Sequence, residues 1–521
     1  MNTKNLGEAM KRMTSAMRCA VWAMLGLAAL SGCSSSSRPE SVAAPRSGTP
    51  GWDRSCDEAR FPSLAWTQCE LLNYAHVSEA PTEQLQPAFV ARLSAQSLSN
   101  QLSWLARAAD DPSWLALRSA NTELIPLCTT WALPCVGDPF RYAQAEGLDG
   151  APFYTGEAEV IPVVYYDQDC ARISGRIWAP RNRQSGASLP GVVIENGSVQ
   201  ASETLYWWAA QLLVRAGYVV MTSDPRGQGR SDWQSPSGQQ GGNLNVEVFT
   251  SGLVNAIDFF RSSSVQPYPH NQSCAGTYPT VVTAFNPLHA AIDPARLGIA
   301  GHSAGANAVH NVQAFGASGA APWPGLIDAQ NPVRAAVAWD STFNPNISLG
   351  GLSELPGVAE AGLALTQTRI TLQPHLPLLE QQSEYGLVPT PFLTQPAADS
   401  HLSVYQAWRA QNLPVMQVTL RGSTHYEWSL LPAFPASSWC PQIVDGRCSG
   451  GWGQPLAQHY TLAWFDRWLK QPGEAGYADA DARLLDDASW ADRMSFHFHS
   501  ARSFVLRDGQ RADCADIRAG C

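Results

Sequence analysis

Residues Arg296–Gly305 read R-L-G-I-A-G-H-S-A-G, and no other stretch limits the fold of this chain so tightly. Leu297, Ile299 and Ala300 suit a buried strand. Gly301-His302-Ser303-Ala304-Gly305 satisfies G-x-S-x-G, and a helical run from Ala306 to His310 follows. Glycines two residues to either side leave room for a strained backbone at Ser303. The serine hydroxyl would then stand at the carboxyl end of a sheet, with a helix N-terminus behind it to stabilise developing negative charge. Five residues alone recur by chance in Gly- and Ser-rich chains. The strand before and the helix after supply the context of a nucleophile elbow.

The surrounding pattern agrees with a sheet of that kind. Val160–Tyr166 and Arg172–Ala179 read as opening strands, Gly191–Glu195 as a short buried strand, and Glu203–Ala216 as an amphipathic helix stopped by Gly217. Tyr218–Thr222 returns as a strand and Asn245–Arg261 as a helix. After the elbow come strands at Val333–Trp339, Pro391–Thr394 and Val415–Leu420, and a closing helix at Gly453–Lys470. Strands alternating with helices over this length predict an α/β fold, a mostly parallel sheet covered on both faces. Residues 56–154 form an α-helical N-terminal extension with no catalytic constellation. Residues 343–388 interrupt the alternation as a lid or pocket insertion, and 473–521 are a C-terminal extension.

The first 32 residues stand outside any core. Lys4, Lys11, Arg12 and Arg18 precede an apolar run, Cys19–Leu30, and small residues lead to Leu30-Ser31-Gly32-Cys33. That is an export signal, too short for a membrane span. Its last four residues resemble a bacterial lipobox, which implies lipidation at Cys33 and a flexible tether over 33–55. The expectation is an exported lipoprotein at the periplasmic face of the outer membrane or at the cell surface. The chain carries a net charge of −10, and its leader is basic, so the remainder is more acidic still. With no basic run left, nucleic acid is not an expected partner. Lys470 is the only lysine after the leader, so Schiff-base and Ser–Lys mechanisms have almost no candidates.

Ten cysteines follow Cys33, an even number that implies disulfides in an exported chain. Spacing suggests Cys56/Cys69, Cys128/Cys135, Cys440/Cys448 and Cys514/Cys521, leaving Cys170 and Cys274 for each other, although spacing does not fix connectivity. None of these pairs has C-x-x-C spacing beside a histidine, so no metal site is expected.

A serine hydroxyl needs a base within hydrogen-bond reach. His425, in Arg421-Gly422-Ser423-Thr424-His425, follows a late strand and supplies one. The acid should precede it, and Asp399, after the strand expected at Pro391–Thr394, has that place. The order Ser303, Asp399, His425 is the one expected for an elbow nucleophile. Asp340, directly after Val333–Trp339, is the alternative acid, with Glu427 third. The backbone N–H groups of Ala304 and of Ser198, in Asn196-Gly197-Ser198, are the expected oxyanion donors. Asp224-Pro225-Arg226-Gly227-Gln228-Gly229-Arg230-Ser231 lacks phosphate-loop spacing and reads as a structural turn.

From about residue 155 to 472 the chain resembles an α/β-hydrolase. The resemblance rests on G-H-S-A-G at 301–305, D-P-R-G-Q-G-R-S at 224–231 and the late G-S-T-H ending at His425. Asn196-Gly197-Ser198, Trp207-Trp208 and Trp339-Asp340-Ser341 are similar to the dienelactone hydrolase, cutinase and polyester-hydrolase branch. That resemblance implies a carboxylic ester hydrolase without cofactor, acting on a small or polymeric ester. It implies a pocket lined by Trp339, where His302 is also placed, and an acid from the next strand, which favours Asp399 over Asp340. A peptidase or amidase with the same triad, and a catalytically silent binding protein, are the other readings.

Overall fold

Strands made of small and branched apolar residues bury both faces and so require helices above and below them. The computed structural model describes residues 56, 58–84, 109–116, 153–198, 202–241, 246–341, 372–387, 389–429, 442–444, 447–449 and 453–521. The leader and the whole tether with Cys33 lie outside these residues, as do Cys128, Cys135 and Cys440. The expected Cys128/Cys135 bond therefore lies outside them too.

The sheet opens with the hairpin β1 (Ala158–Tyr166) and β2 (Arg172–Pro180), followed by β3 (Leu189–Glu195), β4 (Val219–Asp224), β5 (Ile292–His302), β6 (Val333–Trp339), β7 (Leu378–Ser383) and β8 (Val415–Leu420). A separate two-stranded ribbon pairs β9 (Gln442–Val444) with β10 (Arg447–Ser449). The last two strands, β11 (Ala501–Val505) and β12 (Arg511–Cys514), extend the main sheet, whose order is 1-2-4-3-5-6-7-8-11-12. From β4 to β8 all neighbours are parallel; β2 is antiparallel to both β1 and β4. The first eight strands in that order, with only the second reversed, form an α/β-hydrolase sheet. The C-terminal extension joins it through β11, antiparallel to β8.

Helix α1 (Leu64–Gln84) precedes the sheet, and α2 (Trp207–Arg215), α3 (Val246–Arg261), α4 (Ala304–Ala314), α5 (Ser403–Ala410) and α6 (Gly453–Leu469) cover it. One core packs Trp208 and Leu213 of α2 and Trp464 and Phe465 of α6 against Val192, Ala300 and Trp339. The other packs Phe249 and Leu253 of α3, Val309 of α4 and Trp408 of α5 against Val193, Ile299 and Ala336. Successive residues of β3, Val192 and Val193, thus face opposite layers, as the two-residue strand period requires.

Two expectations fail together here. Pro391–Thr394 is not a strand, and β7 lies earlier, at Leu378–Ser383, inside the segment read as an insertion. Its sequence, LLEQQS, has four polar residues in a row, yet all six are buried. Such residues need partners: Glu380 meets Ser341 and His310, Gln381 meets Thr461 and Trp428, and Ser383 meets Asp340.

Disulfides join Cys56 to Cys69, Cys170 to Cys274 and Cys514 to Cys521. The bond expected between Cys440 and Cys448 lies outside the described residues. Cys448 stands in β10, in register with Ile443 of β9, whereas Cys440 lies outside the described residues.

The N-terminal segment is also fastened through Arg172, fully buried at the start of β2. Its guanidinium meets both carboxylate oxygens of Asp232 at 2.9 and 3.0 Å and donates to the carbonyl of Ser113 at 3.1 Å. The ring of Trp114 lies 3.9 Å from it and that of Tyr278 4.0 Å. Arg172→Ala would leave Asp232 buried without its cation, and is expected to cost about 3–5 kcal/mol in urea unfolding; a loss under about 1 kcal/mol would contradict that role.

Candidate active site

Ser303 is set between β5 and α4 at φ 57°, ψ −118°, a left-handed conformation rare for a residue with a side chain. The chain closes so tightly there that a Cβ on Gly301 would come 2.4 Å from the carbonyl oxygen of Gly305. A Cβ on Gly305 would come 2.4 Å from the carbonyl oxygen of Asn196. Both glycines of the motif are therefore required by contact, and the second brings the loop after β3 against the elbow. The Ser303 N–H donates to the Trp339 carbonyl at 3.1 Å, which ties the turn to the end of β6.

The Ser303 hydroxyl lies 2.8 Å from Nε2 of His425, and Nδ1 of His425 lies 2.6 Å from Oδ2 of Asp340. All three residues are buried. Asp340 also accepts from the Ser383 N–H and the Ser383 hydroxyl, each at 2.7 Å. Burial alone would raise the Asp340 pKa, but the His425 contact and the two bonds from Ser383 hold it below the usual carboxylate value. An ionised Asp340 can only accept, so Nδ1 of His425 carries the proton. Nε2 is left with its lone pair toward the Ser303 hydroxyl.

The carboxylate that meets His425 is thus Asp340, and the expectation of Asp399 there is corrected. Asp399 lies in the short helix Ala398–His401 with its side chain 67% exposed and paired to His499 at 2.8 Å. The error follows from β7: a strand at Pro391–Thr394 would put Asp399 at a strand end, whereas the strand beside β6 ends at Ser383. Glu427 does not reach the imidazole either; its carboxylate accepts the Thr424 N–H at 3.1 Å and braces the histidine loop.

Trp339 and His302 do not line an open pocket. The Trp339 ring is fully buried, packed on Trp208 at 5.1 Å, with its N–H donated to Thr461 at 3.2 Å. His302 is buried beneath the triad, 2.8 Å from the His425 carbonyl through Nε2 and 3.0 Å from the Tyr206 hydroxyl through Nδ1. Burial pushes its pKa down to about 3, so the ring is neutral. Gly197 runs beside the serine, since a Cβ there would lie 3.2 Å from Cβ of Ser303. That places Ser198 next along the loop and Ala304 at the first position of α4, whose leading N–H groups lack intrahelical acceptors. Asp224 anchors the same loop: it accepts from the Asn196 side chain at 3.0 Å and from the N–H groups of Glu203 and Arg230 at 2.7 and 2.8 Å. The glycine-rich run from Asp224 to Ser231 therefore closes on its own first residue, as a structural turn would.

The residues that hold His425 were not singled out from the sequence. Glu384 accepts the Gly422 N–H at 2.6 Å, Tyr385 donates its N–H to the Ser423 carbonyl at 3.0 Å, and Gly386 accepts the His425 N–H at 3.0 Å. Behind them stands α1. Asn73 donates to Glu384 at 2.5 Å and accepts from Arg421 at 2.9 Å, and Glu70 meets His497 at 2.5 Å. The only sequence signal for this clamp is a pair of polar residues, Glu70 and Asn73, one helical turn apart among apolar ones. Among the described residues no His, Cys, Asp and Glu cluster could hold a metal ion.

No protein-family model matches this sequence, and no curated protein matches it. Among solved structures the chain is similar to Pyrococcus horikoshii acylaminoacyl peptidase, at 15% identity and a TM-score of 0.38, covering 65% of this chain and 46% of that one. An acylaminoacyl peptidase in complex with Z-Gly-Gly-Phe-chloromethyl ketone matches at 14% identity and a TM-score of 0.37, with the same coverage of 65% and 46%. The match thus spans less than half the length of either peptidase chain.

The native Asp340 pKa lies below its unfolded value of about 4, so its stabilising contribution is complete above that pH and fades as pH falls through the native pKa. The stability gap between the wild type and Asp340→Asn, measured by urea unfolding, is expected to be wide at pH 7 and to shrink below about pH 4. A gap of equal size at both pH values would count against an ionised, hydrogen-bonded Asp340.

Proposed function

We propose that this chain is a serine hydrolase that cleaves carboxylic esters through an acyl-enzyme intermediate. The observation that carries the reading is the continuous hydrogen-bonded line from the Ser303 hydroxyl through His425 to Asp340. As Ser303 Oγ attacks the ester carbonyl carbon, its proton passes to Nε2 of His425. Asp340 stabilises the imidazolium so formed and fixes the ring orientation. The N–H groups of Ala304 and Ser198 are the proposed donors to the tetrahedral oxygen. Collapse of that intermediate breaks the bond to the alcohol oxygen, which takes the proton from His425. Water, deprotonated by the same nitrogen, then releases the acid and restores Ser303.

The ester assignment rests on the motif resemblance around Ser303 and in Trp339-Asp340-Ser341. The acid at the end of β6, in place of the following strand, departs from what that resemblance implies. Turnover of p-nitrophenyl esters of increasing chain length, run beside peptide p-nitroanilides, tests the reading. Esters are expected to be cleaved and Ser303→Ala to abolish both turnover and labelling by a fluorophosphonate. Cleavage of the anilides alone would convert the reading to a peptidase, and an unlabelled wild type would leave a binding protein. Asp340→Asn is expected to lower kcat by about 10³–10⁴-fold. Asp399→Asn should stay within about twofold of the wild type, as an exposed substitution does; the reverse ranking would restore Asp399 as the acid.

The leader motif supports a second part of the proposal, export and attachment through a lipidated Cys33. No helix among the described residues is long and apolar enough to cross a membrane. Expressed with its leader in a bacterial host, the protein is expected to partition into Triton X-114 and Cys33→Ser into the aqueous phase. Identical partitioning of the two would rule out the anchor.

A further inference from the structure

Three buried groups that take no proton in the mechanism above join its two halves. The Gly197 N–H donates to the Tyr206 hydroxyl at 2.9 Å, that hydroxyl lies 3.0 Å from Nδ1 of His302, and Nε2 of His302 lies 2.8 Å from the His425 carbonyl oxygen. We propose that Tyr206 and His302 are positioning residues, a hydrogen-bonded strut that sets the spacing between the loop bearing Ser198 and the loop bearing His425, with Ser303 between them. The proposal rests on the serine hydrolase reading for its effect on rate, but not for its geometry.

The direction of every link follows from the two ends. A backbone carbonyl can only accept, so Nε2 of His302 carries the ring proton. A neutral imidazole has one N–H, so Nδ1 is a bare acceptor and the Tyr206 O–H must donate to it. The lone pairs of Tyr206 then remain for the Gly197 N–H, which can only donate. The other tautomer would set the Nε2 lone pair against the carbonyl lone pairs of His425 and break the strut at that end. Burial keeps the ring neutral, as one donor and one acceptor nitrogen require. The strut occupies the Gly197 N–H, which leaves the next one, on Ser198, as the group to face substrate.

The parts are fixed from outside as well. Tyr206 is fully buried at the end of the short helix Glu203–Tyr206, whose first N–H is held by Asp224. His302 is joined covalently to Ser303, so any shift of its ring is felt at the nucleophile. The rings of His302 and His425 lie 4.8 Å apart, tilted by 34°. The variable position before the serine in G-x-S-x-G is thereby used, in this chain, to gauge the distance from elbow to base.

Tyr206→Phe removes one oxygen and keeps the ring. It is expected to lower kcat on p-nitrophenyl acetate by about ten- to a hundredfold, the cost of a small misplacement of reacting groups, with KM within about threefold. His302→Gln, which retains an acceptor and a donor, is expected to keep more of the rate than His302→Leu. Nitrogen NMR of the ¹⁵N-histidine-labelled wild type is expected to show His302 protonated at Nε2, with Nδ1 bare and hydrogen-bonded. In Tyr206→Phe the Nδ1 signal should move toward that of a bare nitrogen with no donor. The NMR readout needs no turnover, so a wild type that fluorophosphonate leaves unlabelled would sink the hydrolase reading alone. Wild-type kcat in folded Tyr206→Phe, or a proton on Nδ1 of His302 in the wild type, would overturn the strut.

Discussion

A carboxylate inside a protein stays ionised only where donors replace the water it has lost. Asp340 meets that condition through Ser383, which offers both its N–H and its hydroxyl, and through His425. Much of the surrounding structure follows from this demand. The strand beside β6 must end in a residue with two donors, and Glu380 and Gln381 before it find partners in turn. Glu380 is satisfied by the Ser341 hydroxyl at 2.7 Å and His310 at 2.9 Å, and Gln381 by Thr461 and Trp428 at 3.1 and 2.9 Å. A central strand thus trades apolar side chains for a hydrogen-bonded lattice that fixes Asp340, and with it the tautomer of His425.

That trade also explains which parts of the fold are legible in the sequence. β6 and β8 are recognised to the residue because VRAAVAW and VMQVTL carry branched apolar residues, and the elbow is recognised because its glycines are steric necessities. LLEQQS carries no such signal: its burial is made possible by partners distant in sequence, which no local pattern records. With the strand expected at Pro391–Thr394 instead, Asp399 stands at a strand end, where the resemblance also seeks the carboxylate. The Trp339 and His302 misplacement has the same root. Their chain positions next to Asp340 and Ser303 are right, but side chains at adjacent strand positions point to opposite faces, and only three-dimensional packing tells which faces substrate.

The extensions, read as appendages, are parts of the same sheet and the same loop. β11 and β12 add two strands beyond β8, and the segment between α6 and β11 supplies His497, which Glu70 of α1 grips. α1 reaches the histidine loop through Asn73, Glu384 and Arg421, a cluster of buried polar groups that position one another.

The bond from Glu70 to His497 closes a span of 427 residues. Contacts so remote in the chain carry the largest loop-closure entropy and are the last a ribosome can make available. A chain whose synthesis has stopped short of residue 497 therefore already carries Glu384, Tyr385 and Gly386, which hold the histidine loop, and lacks the outermost fastening, the grip of His497 on Glu70 behind Tyr385.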